Sequence, residues 1–299
     1  MDKIIVLMAT YNGEKYLQEQ IDTILAQKDV DVELVVRDDG STDRTKEILE
    51  ENHRKGKLDW YTGENRGSAG SFMDLIGRAG DAPYYALSDQ DDHWLPEKLS
   101  SAIRMLREAE PAKPALYHSG TILADENLKP ISDERERNRI TTVKQALIGS
   151  GATGCTMCFN RALLEMLRKP HPDFRLMHDN WIYKVCLITG GSILKGDKSY
   201  ILYRQHGNNA IGGFAQKQHP FRRHLKSIRD EKRYRSEGIA ALYEAYKDDM
   251  PEENRKTTEQ LVHYRKGLNR FQILTDKGFE TGNRRNDQLF KIAILFGLF

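Results

Sequence analysis

The chain has 299 residues, of which 39% are apolar and 30% charged, and its 46 basic and 44 acidic side chains leave a net charge of +2. This composition is typical of a globular protein with one large or two small domains, and it gives no overall bias toward a nucleic-acid partner. The three cysteines, Cys155, Cys158 and Cys186, are an odd number in a chain whose first apolar strand starts at the third residue. They favour a reducing, cytoplasmic compartment and buried thiols over disulfides or a zinc site. No apolar run is long enough to span a membrane.

Apolar runs alternate with helically spaced apolar residues through the first hundred residues. Strands are predicted over 3–10, 32–37, 58–62 and 83–88. Helices are predicted over 14–27, after Asp43 as capping residue, over 71–79 and over 96–108. Strands that alternate with helices in this way predict an α/β domain in which a Rossmann-like, mostly parallel sheet carries helices on both faces.

The pattern is less regular after residue 110. We predict a strand over 115–124, a charged loop over 132–139, a small-residue segment over 149–160, helices over 161–168 and from His178, and a strand pair over 192–204. From about residue 214 onward only helices are predicted.

Polar side chains follow three predicted strands at their carboxyl ends, where ligands bind in parallel α/β sheets. Thr10 and Tyr11 follow the first strand, Asp38 and Asp39 follow the second, and the segment SDQDD over 88–92 ends the fourth. A ligand site is therefore predicted at this edge of the sheet. For Asp38 and Asp39 the alternative is an ordinary Asp-Gly turn, which we expect to hold for one of them.

The fourth strand ends in three carboxylates within four residues, Asp89, Asp91 and Asp92. A divalent cation would offset their repulsion, and oxygen ligands in a partly open shell suit Mg²⁺ or Mn²⁺, whose shell is commonly completed by substrate phosphates. The alternative is that Asp92 or His93 caps the helix predicted near Pro96. A cap accounts for only one of the three carboxylates.

Three motifs, ATYNGEKYL, VVRDDGSTD and SDQDDHWLPEKL, in this order and spacing, resemble the family-two glycosyltransferases with the GT-A fold. The segments GCTMCFNRALL, MHDNW and YRQHGNN extend the resemblance to about residue 213, and they look most like bacterial rhamnosyltransferases of cell-wall or capsular polysaccharide synthesis. The resemblance implies a nucleotide-sugar-binding half over 1–110, an acceptor-binding half over 111–213 and a C-terminal helical region over 214–299.

The resemblance implies roles for five residues around the sugar donor. Asp91 of the D-x-D motif would bind the cation, which bridges the donor's diphosphate, and Asp89 would contact the ribose. Asp39 would accept a hydrogen bond from the pyrimidine N–H. Thr10 and Tyr11 would pack against the base, to which the tyrosine ring offers a stacking face.

Further roles come from the second part of the match. Asp179 would be the general base that takes a proton from the acceptor hydroxyl, although by local sequence it could simply cap a helix over 180–187. His206 would complete the cation's shell or touch the diphosphate, and Arg204 would offset phosphate charge. The role of His178, beside Asp179, stays open.

The C-terminal third has a basic stretch from Lys217 to Arg235 and ends in LFKIAILFGLF. A basic helix and a short apolar tail suit docking at an anionic membrane face, where a lipid-linked acceptor would lie. Alternatively, the basic residues form a solvated face and the tail packs into the core or against a second copy in a homodimer. Both possibilities stay open.

The expected function is an inverting, Mn²⁺- or Mg²⁺-dependent sugar transfer at the cytoplasmic side of the membrane. The resemblance favours rhamnose from its thymidine diphosphate donor and a hydroxyl of a lipid-linked bacterial glycan as acceptor. A catalytically silent glycan-binding or scaffolding subunit is the alternative. The joint presence of four aspartates argues against it, namely Asp39, Asp89, Asp91 and Asp179. A phosphatase with an aspartate nucleophile would need that residue where Thr10 stands.

Overall fold

The computed structural model describes residues 1–134, 140–149, 151–170, 176–206 and 235–299. The chain forms two compact units. Unit 1 comprises Met1–Glu136, Ala152–Arg168 and Ser192–Gln216. Unit 2 comprises Arg137–Gly151, Lys169–Gly191 and Lys217–Phe299. The sequence predicts a division at residues 110 and 213 into donor-binding, acceptor-binding and helical regions. The two compact units do not test which residues bind donor or acceptor, so this division stays a prediction.

Unit 1 contains eleven strands in the part of the chain that the structure describes. They are β1 Asp2–Thr10, β2 Val30–Asp38, β3 Asp59–Thr62, β4 Tyr84–Ser88, β5 His93–Trp94, β6 Ala115–His118, β7 Thr121–Ala124, β8 Pro130–Glu134, β9 Cys158–Asn160, β10 Ser192–Lys195 and β11 Ile201–Arg204. Its helices are α1 Leu17–Leu25, α2 Thr45–Arg54, α3 Gly67–Arg78, α4 Lys98–Leu106 and α6 Arg161–Leu167.

Seven strands form the main sheet, in the order β10-β6-β9-β4-β1-β2-β3. The pairs β1–β2, β1–β4, β2–β3 and β6–β10 are parallel, whereas β9 runs antiparallel to both β4 and β6. Helices pack against this sheet, and residues 4–8 of β1 are completely buried at its centre. The prediction of an α/β fold with a mostly parallel sheet is therefore confirmed.

A second sheet has the order β5-β11-β7-β8, and it corrects two predictions. The single strand predicted over 115–124 is two strands in different sheets, β6 and β7, separated by Ser119 and Gly120. The strand pair predicted over 192–204 is wrong, because β10 pairs with β6 and β11 pairs with β7, both in parallel. The described chain therefore crosses from the first sheet to the second three times, from β4 to β5, from β6 to β7 and from β10 to β11.

Several element boundaries also differ from the predictions. Helix α3 begins at Gly67, four residues early, and α4 begins at Lys98, two residues late. The N-cap of α2 is Arg44, although Asp43 still accepts a hydrogen bond from the backbone N–H of Thr45 at 3.0 Å. Residues 132–134 of the predicted charged loop belong to β8, and residues 135–139 lie outside the described residues.

Unit 2 is helical wherever it is described. Its helices are α5 Val143–Ile148, α7 His178–Ile188, α8 over 235–246, α9 Glu252–Val262, α10 Asn269–Thr275 and α11 Arg284–Leu295. The basic stretch lies outside the described residues up to 234, so its predicted helix is untested. No helix in the described ranges has the length and apolar character needed to cross a bilayer.

Helix α7 forms the core of unit 2, and nine of its eleven residues are buried. Helices α5 and α9 pack against it. Burial shifts the pKa of two basic side chains of α7. It lowers the pKa of Lys184 to about 7, and the ammonium of this residue donates to the carbonyl of Gly149 at 2.7 Å. Burial lowers the pKa of His178 to about 3, so this imidazole is neutral at ordinary pH and lies 4% exposed.

The burial of His178 predicts a loss of stability on acidification. The ordinary pKa of 6.5 falls to about 3 in the folded state, so between these values the unfolded chain binds a proton that the folded chain does not. Stability present above pH 6.5 is therefore lost as the pH falls. From pH 6.5 to pH 5 this group alone costs about 2 kcal/mol. Urea unfolding of wild type and His178→Leu at both pH values measures the effect, and the variant should lose less stability.

His53 provides the control, because it lies on the surface of α2 with its side chain 48% exposed. A His53→Gln variant should keep the wild-type difference between the two pH values. An unchanged acid response in His178→Leu would contradict the neutral, buried state of this imidazole.

Candidate active site

The carboxyl ends of β1 and β4 are joined by the side chain of Gln90. Its Oε1 accepts from the Thr10 hydroxyl at 2.5 Å and from the Tyr11 backbone N–H at 2.9 Å, while its Nε2 donates to the Tyr11 carbonyl at 3.2 Å. Gly13 is needed beside it, because a Cβ there would lie 2.3 Å from Gln90 Oε1. We did not predict a role for Gln90, and the only signal in the sequence was its place between two aspartates.

The two residues predicted to pack against a base differ in exposure. Tyr11 is 47% exposed, whereas Thr10 is 2% exposed and its hydroxyl is already bonded to Gln90. A tyrosine ring that faces solvent can stack on a planar ligand, and a buried threonine can shape the wall behind it. Contact of either with a base stays a prediction.

The loop after β2 is tied to the end of β1. The backbone N–H of Asp39 donates to the Thr10 carbonyl at 2.8 Å, and Asn12, whose φ is +48°, accepts from the backbone N–H of Thr42 at 2.8 Å. Asp38 is completely buried and accepts from the Ser41 backbone and from a threonine hydroxyl. Asp38 therefore stabilises the turn after β2, which was the alternative to a ligand-binding role for Asp38 and Asp39.

The Asp39 carboxylate is held by three donors. Arg37 donates to Oδ1, the backbone N–H of Arg66 donates to the same oxygen at 2.9 Å, and the backbone N–H of Gly67 donates to Oδ2 at 2.9 Å. A carboxylate offers about four acceptor positions, so this one can accept a further hydrogen bond. Its position is therefore fixed while acceptor capacity remains.

Arg37 orients Asp39, and the sequence analysis missed it. Its side chain is 2% exposed and also donates to Ser71 at 2.7 Å and to Asp74 at 3.1 Å. A basic residue in a buried strand is expected only with acidic or hydrogen-bonding partners. The charged residue at the end of the apolar run VELVV was the signal that could have revealed it.

The structure brings His206 to the acidic motif after β4. His206 Nε2 lies 2.7 Å from Asp91 Oδ2, although 115 residues separate them in sequence. The imidazole also packs on the Tyr16 ring, with centroids 5.0 Å apart. Both polar side chains are partly exposed, 17% for Asp91 and 12% for His206. One oxygen and one nitrogen ligand therefore face each other at the predicted edge of the sheet.

Arg204 is 3% exposed, and its guanidinium is engaged within unit 1. It donates to the backbone carbonyl of Asp91 at 3.0 Å and to the carboxylate of Glu19 at 2.7 Å, and it lies over the Tyr16 ring at 4.4 Å. Arg204 thus fixes the backbone that carries the acidic motif. Its contact with a phosphate stays a prediction.

Asp92 is buried beneath the motif, at 1% exposure. Burial, and then the charges of Asp91 and Asp89, raise the pKa of its carboxyl well above the ordinary value, which favours the protonated form. The predicted alternative of a helix cap is wrong, because the N-cap of α4 is Glu97 and no side chain bonds there. His93 instead lies 3.2 Å from a Glu19 carboxylate oxygen.

Two sets of donors could hold a cation in the described part of the chain. Ligand atoms of Asp89, Asp92 and Cys155 lie within 4.8 Å of one another. Burial raises the pKa of the Cys155 thiol as well, so the neutral form is favoured for two of these three groups. Mg²⁺ and Mn²⁺ prefer charged oxygen ligands to thiols. The pair of Asp91 and His206 therefore fits such a cation better.

Asp179 lies in unit 2, in the first turn of α7, and is partly exposed. The alternative that it caps a helix over 180–187 is wrong, because α7 begins at His178 and its N-cap is Met177. Its Oδ1 accepts from the Asn180 backbone N–H at 2.6 Å. A carboxylate in the first turn of a helix is stabilised by the helix dipole. Its role as general base stays a prediction.

Comparison with known proteins identifies the family of this chain. The family model for glycosyl transferase family 2 matches residues 5–168. The dTDP-rhamnosyl transferase RfbG of Shigella flexneri is 30% identical over 256 residues, which cover 81% of this chain and 85% of that protein. An uncharacterized glycosyltransferase of Nostoc is 25% identical over 215 residues, covering 69% of this chain and 66% of that protein.

Two groups of solved structures share the fold. S. aureus TarS 1-349 in complex with UDP-GlcNAc aligns with a TM-score of 0.61 at 17% identity, over 99% of this chain and 80% of that one. A mannosyltransferase from Pyrobaculum calidifontis in complex with GDP-Man and Mn²⁺ aligns with a TM-score of 0.53 at 18% identity, with the same coverages. The expected GT-A fold is confirmed.

Proposed function

The chain belongs to glycosyl transferase family 2, and from this premise we propose that it is an inverting, metal-dependent rhamnosyltransferase. The donor is dTDP-rhamnose, and the acceptor is a hydroxyl of a lipid-linked bacterial glycan. The observation that carries the proposal is the contact of 2.7 Å between Asp91 and His206 beside the carboxyl end of β4. It provides a place for a cation where such sheets bind their ligands.

Rhamnose is favoured by one comparison and is compatible with the site. The relative with 30% identity is a dTDP-rhamnosyl transferase by name. Asp39, with acceptor capacity left, can accept the N–H of a thymine, and the exposed Tyr11 ring can stack on it. The two solved structures that share this fold were each determined in complex with a nucleotide sugar.

Mg²⁺ or Mn²⁺ would be held by Asp91 and His206, with Asp89 of the same motif directed to the ribose. When bound, the cation stabilises the negative charge that develops on the departing nucleoside diphosphate. The mannosyltransferase with the same fold was solved with Mn²⁺. Arg204 contributes by fixing the backbone of Asp91, which keeps the carboxylate in place.

The transfer itself is a single displacement. The acceptor oxygen forms a bond to the anomeric carbon while the bond from that carbon to the diphosphate oxygen breaks. Asp179 takes the hydroxyl proton as the new bond forms, since a hydroxyl is a weak nucleophile until it is deprotonated. Inversion of a β-linked donor gives an α linkage.

The cation and the donor can be tested together by calorimetry. Wild type should bind dTDP-rhamnose more tightly than UDP-glucose or GDP-mannose, and Mn²⁺ should strengthen the binding. Asp91→Asn should weaken Mn²⁺-dependent binding by about tenfold or more, because an amide carries no charge to hold the cation. Asp81→Asn, at a carboxylate that is 72% exposed, is the matched control. If wild type binds none of the donors, the silent subunit is favoured. If Mn²⁺ adds nothing, metal dependence is rejected.

Asp179 can be separated from donor binding by its effect on turnover. Asp179→Asn should lower kcat by at least about a hundredfold, because the amide cannot accept the proton, while donor affinity stays near that of wild type. A transfer assay and calorimetry on the same preparation measure both. The exposed Asp248 provides a control as Asp248→Asn, which should turn over normally. Normal turnover by Asp179→Asn would eliminate this residue as the base.

Arg37 is a positioning residue for base recognition. Arg37→Lys keeps a charge but loses the fork that reaches Asp39, Ser71 and Asp74 together. Affinity for dTDP should fall by about tenfold, whereas Mn²⁺-dependent binding of inorganic pyrophosphate should be unchanged. Arg78 also contacts Asp74 but is 66% exposed, so Arg78→Lys is the control. Equal losses for both ligands in Arg37→Lys would show a general structural defect instead.

A further inference from the structure

The surface of unit 2 exposes an unusual group of large apolar side chains. Seven of the ten that the described residues expose lie between Leu268 and Leu298. They are Leu268, Phe271, Leu289, Ile292, Leu295, Phe296 and Leu298. Single exposed apolar residues are ordinary, but a concentration of them marks an interaction surface. We call this group the α10–α11 patch.

Helix α11 is apolar on two opposite sides. Phe290 and Ile294 are buried, and Phe290 packs edge-on against Phe299 with ring centroids 5.2 Å apart. At about 100° per residue, Leu289 and Ile292 point away from this buried side. The C-terminal apolar tail therefore packs into unit 2, which was one of the two alternatives. Only one side of α11 is buried by this packing. The other half is left on the surface.

Helix α10 packs against α11. The Arg265 guanidinium, shortly before α10, donates to the backbone carbonyl of Gly297 at 2.5 Å, and helices α10 and α11 contact each other. Leu268 and Phe271, 73% and 68% exposed, add two apolar side chains from this region to the patch. The patch thus includes residues from two elements.

Exposed basic side chains lie near the patch in sequence. Lys266, Lys277, Arg284 and Arg285 are exposed, and none of them pairs with an acidic group in the described ranges. On α11, Arg285 lies one turn before Leu289 on the same side of the helix. Basic side chains next to apolar side chains along the exposed side of a helix are typical of helices that lie in a membrane interface.

The acidic residues of this region are already engaged. Between 263 and 299 they are only three, Asp276, Glu280 and Asp287. Asp276 pairs with Lys144 at 2.8 Å and Glu280 with Lys291 at 2.6 Å, while Asp287 is buried and accepts from Thr281. The patch therefore presents apolar surface and positive charge without free negative charge.

We propose that the α10–α11 patch docks this protein on an anionic lipid bilayer, with the apolar side chains in the interface and the basic ones at the headgroups. A second copy of the chain is a poorer partner, because a two-fold contact would bring the same uncompensated cations together. The assignment of a lipid-linked acceptor depends on the proposed function, whereas docking on a bilayer does not. The test below uses neither donor nor acceptor, so either proposal can fail alone.

The test is flotation of the full chain with two kinds of vesicle. Wild type should float with phosphatidylcholine vesicles that contain phosphatidylglycerol, and much less with phosphatidylcholine alone or at high salt, which screens the charges. Ile292→Ser combined with Phe296→Ser should lower the partition at least about tenfold, since both apolar side chains lose their place in the bilayer. Arg284→Gln combined with Arg285→Gln should lose the preference for anionic vesicles.

Ile131→Ser is the matched control, because Ile131 is 52% exposed in unit 1, away from the patch in sequence. It should float as wild type does, and circular dichroism should show that every variant is folded. Absence of wild-type flotation with anionic vesicles overturns the proposal, and so does normal flotation of the Ile292→Ser, Phe296→Ser variant. If wild type instead forms a dimer that this variant cannot form, and does not float, the patch belongs to a second copy.

Discussion

Repulsion between neighbouring carboxylates at the end of β4 is the constraint around which unit 1 is organised. Asp92 is buried, and its raised pKa reduces this repulsion, while Asp91 faces the imidazole of His206. Arg204 donates to the backbone of the same segment and to the carboxylate of Glu19. The motif thus keeps charge where a cation would need it and removes charge where no cation can reach.

Rigid positioning of the polar edge follows from hydrogen bonds between loops rather than from the strands alone. Gln90 ties the end of β1 to the acidic motif, and Arg37 fixes Asp39 from below. Neither side chain needs to touch a substrate to matter, because a carboxylate that is already oriented loses little entropy on binding. Sites of this kind depend on a layer of residues that carry no motif of their own.

Unit 2 contributes surface as well as core. Helix α7 is buried almost all round and carries Asp179 in its first turn, whereas α11 is buried on one side only. An apolar helix side left in water is costly unless something covers it for part of the time. A bilayer would do so, and it is also where a lipid-linked acceptor would be found.

The sequence by itself determined the α/β class, the polar edge of the sheet and the three motifs, because strand and helix periodicity and local clusters of aspartates are local properties. Only the tertiary structure decided that 115–124 and 192–204 each divide between two sheets, since strand pairing depends on partners far away in the chain. The same holds for the contact of Asp91 with His206 across 115 residues, and for the burial that raises the pKa of Asp92. The pKa of a buried group and its contacts with residues far away in sequence depend on the folded structure. They cannot be deduced from a short stretch of the sequence.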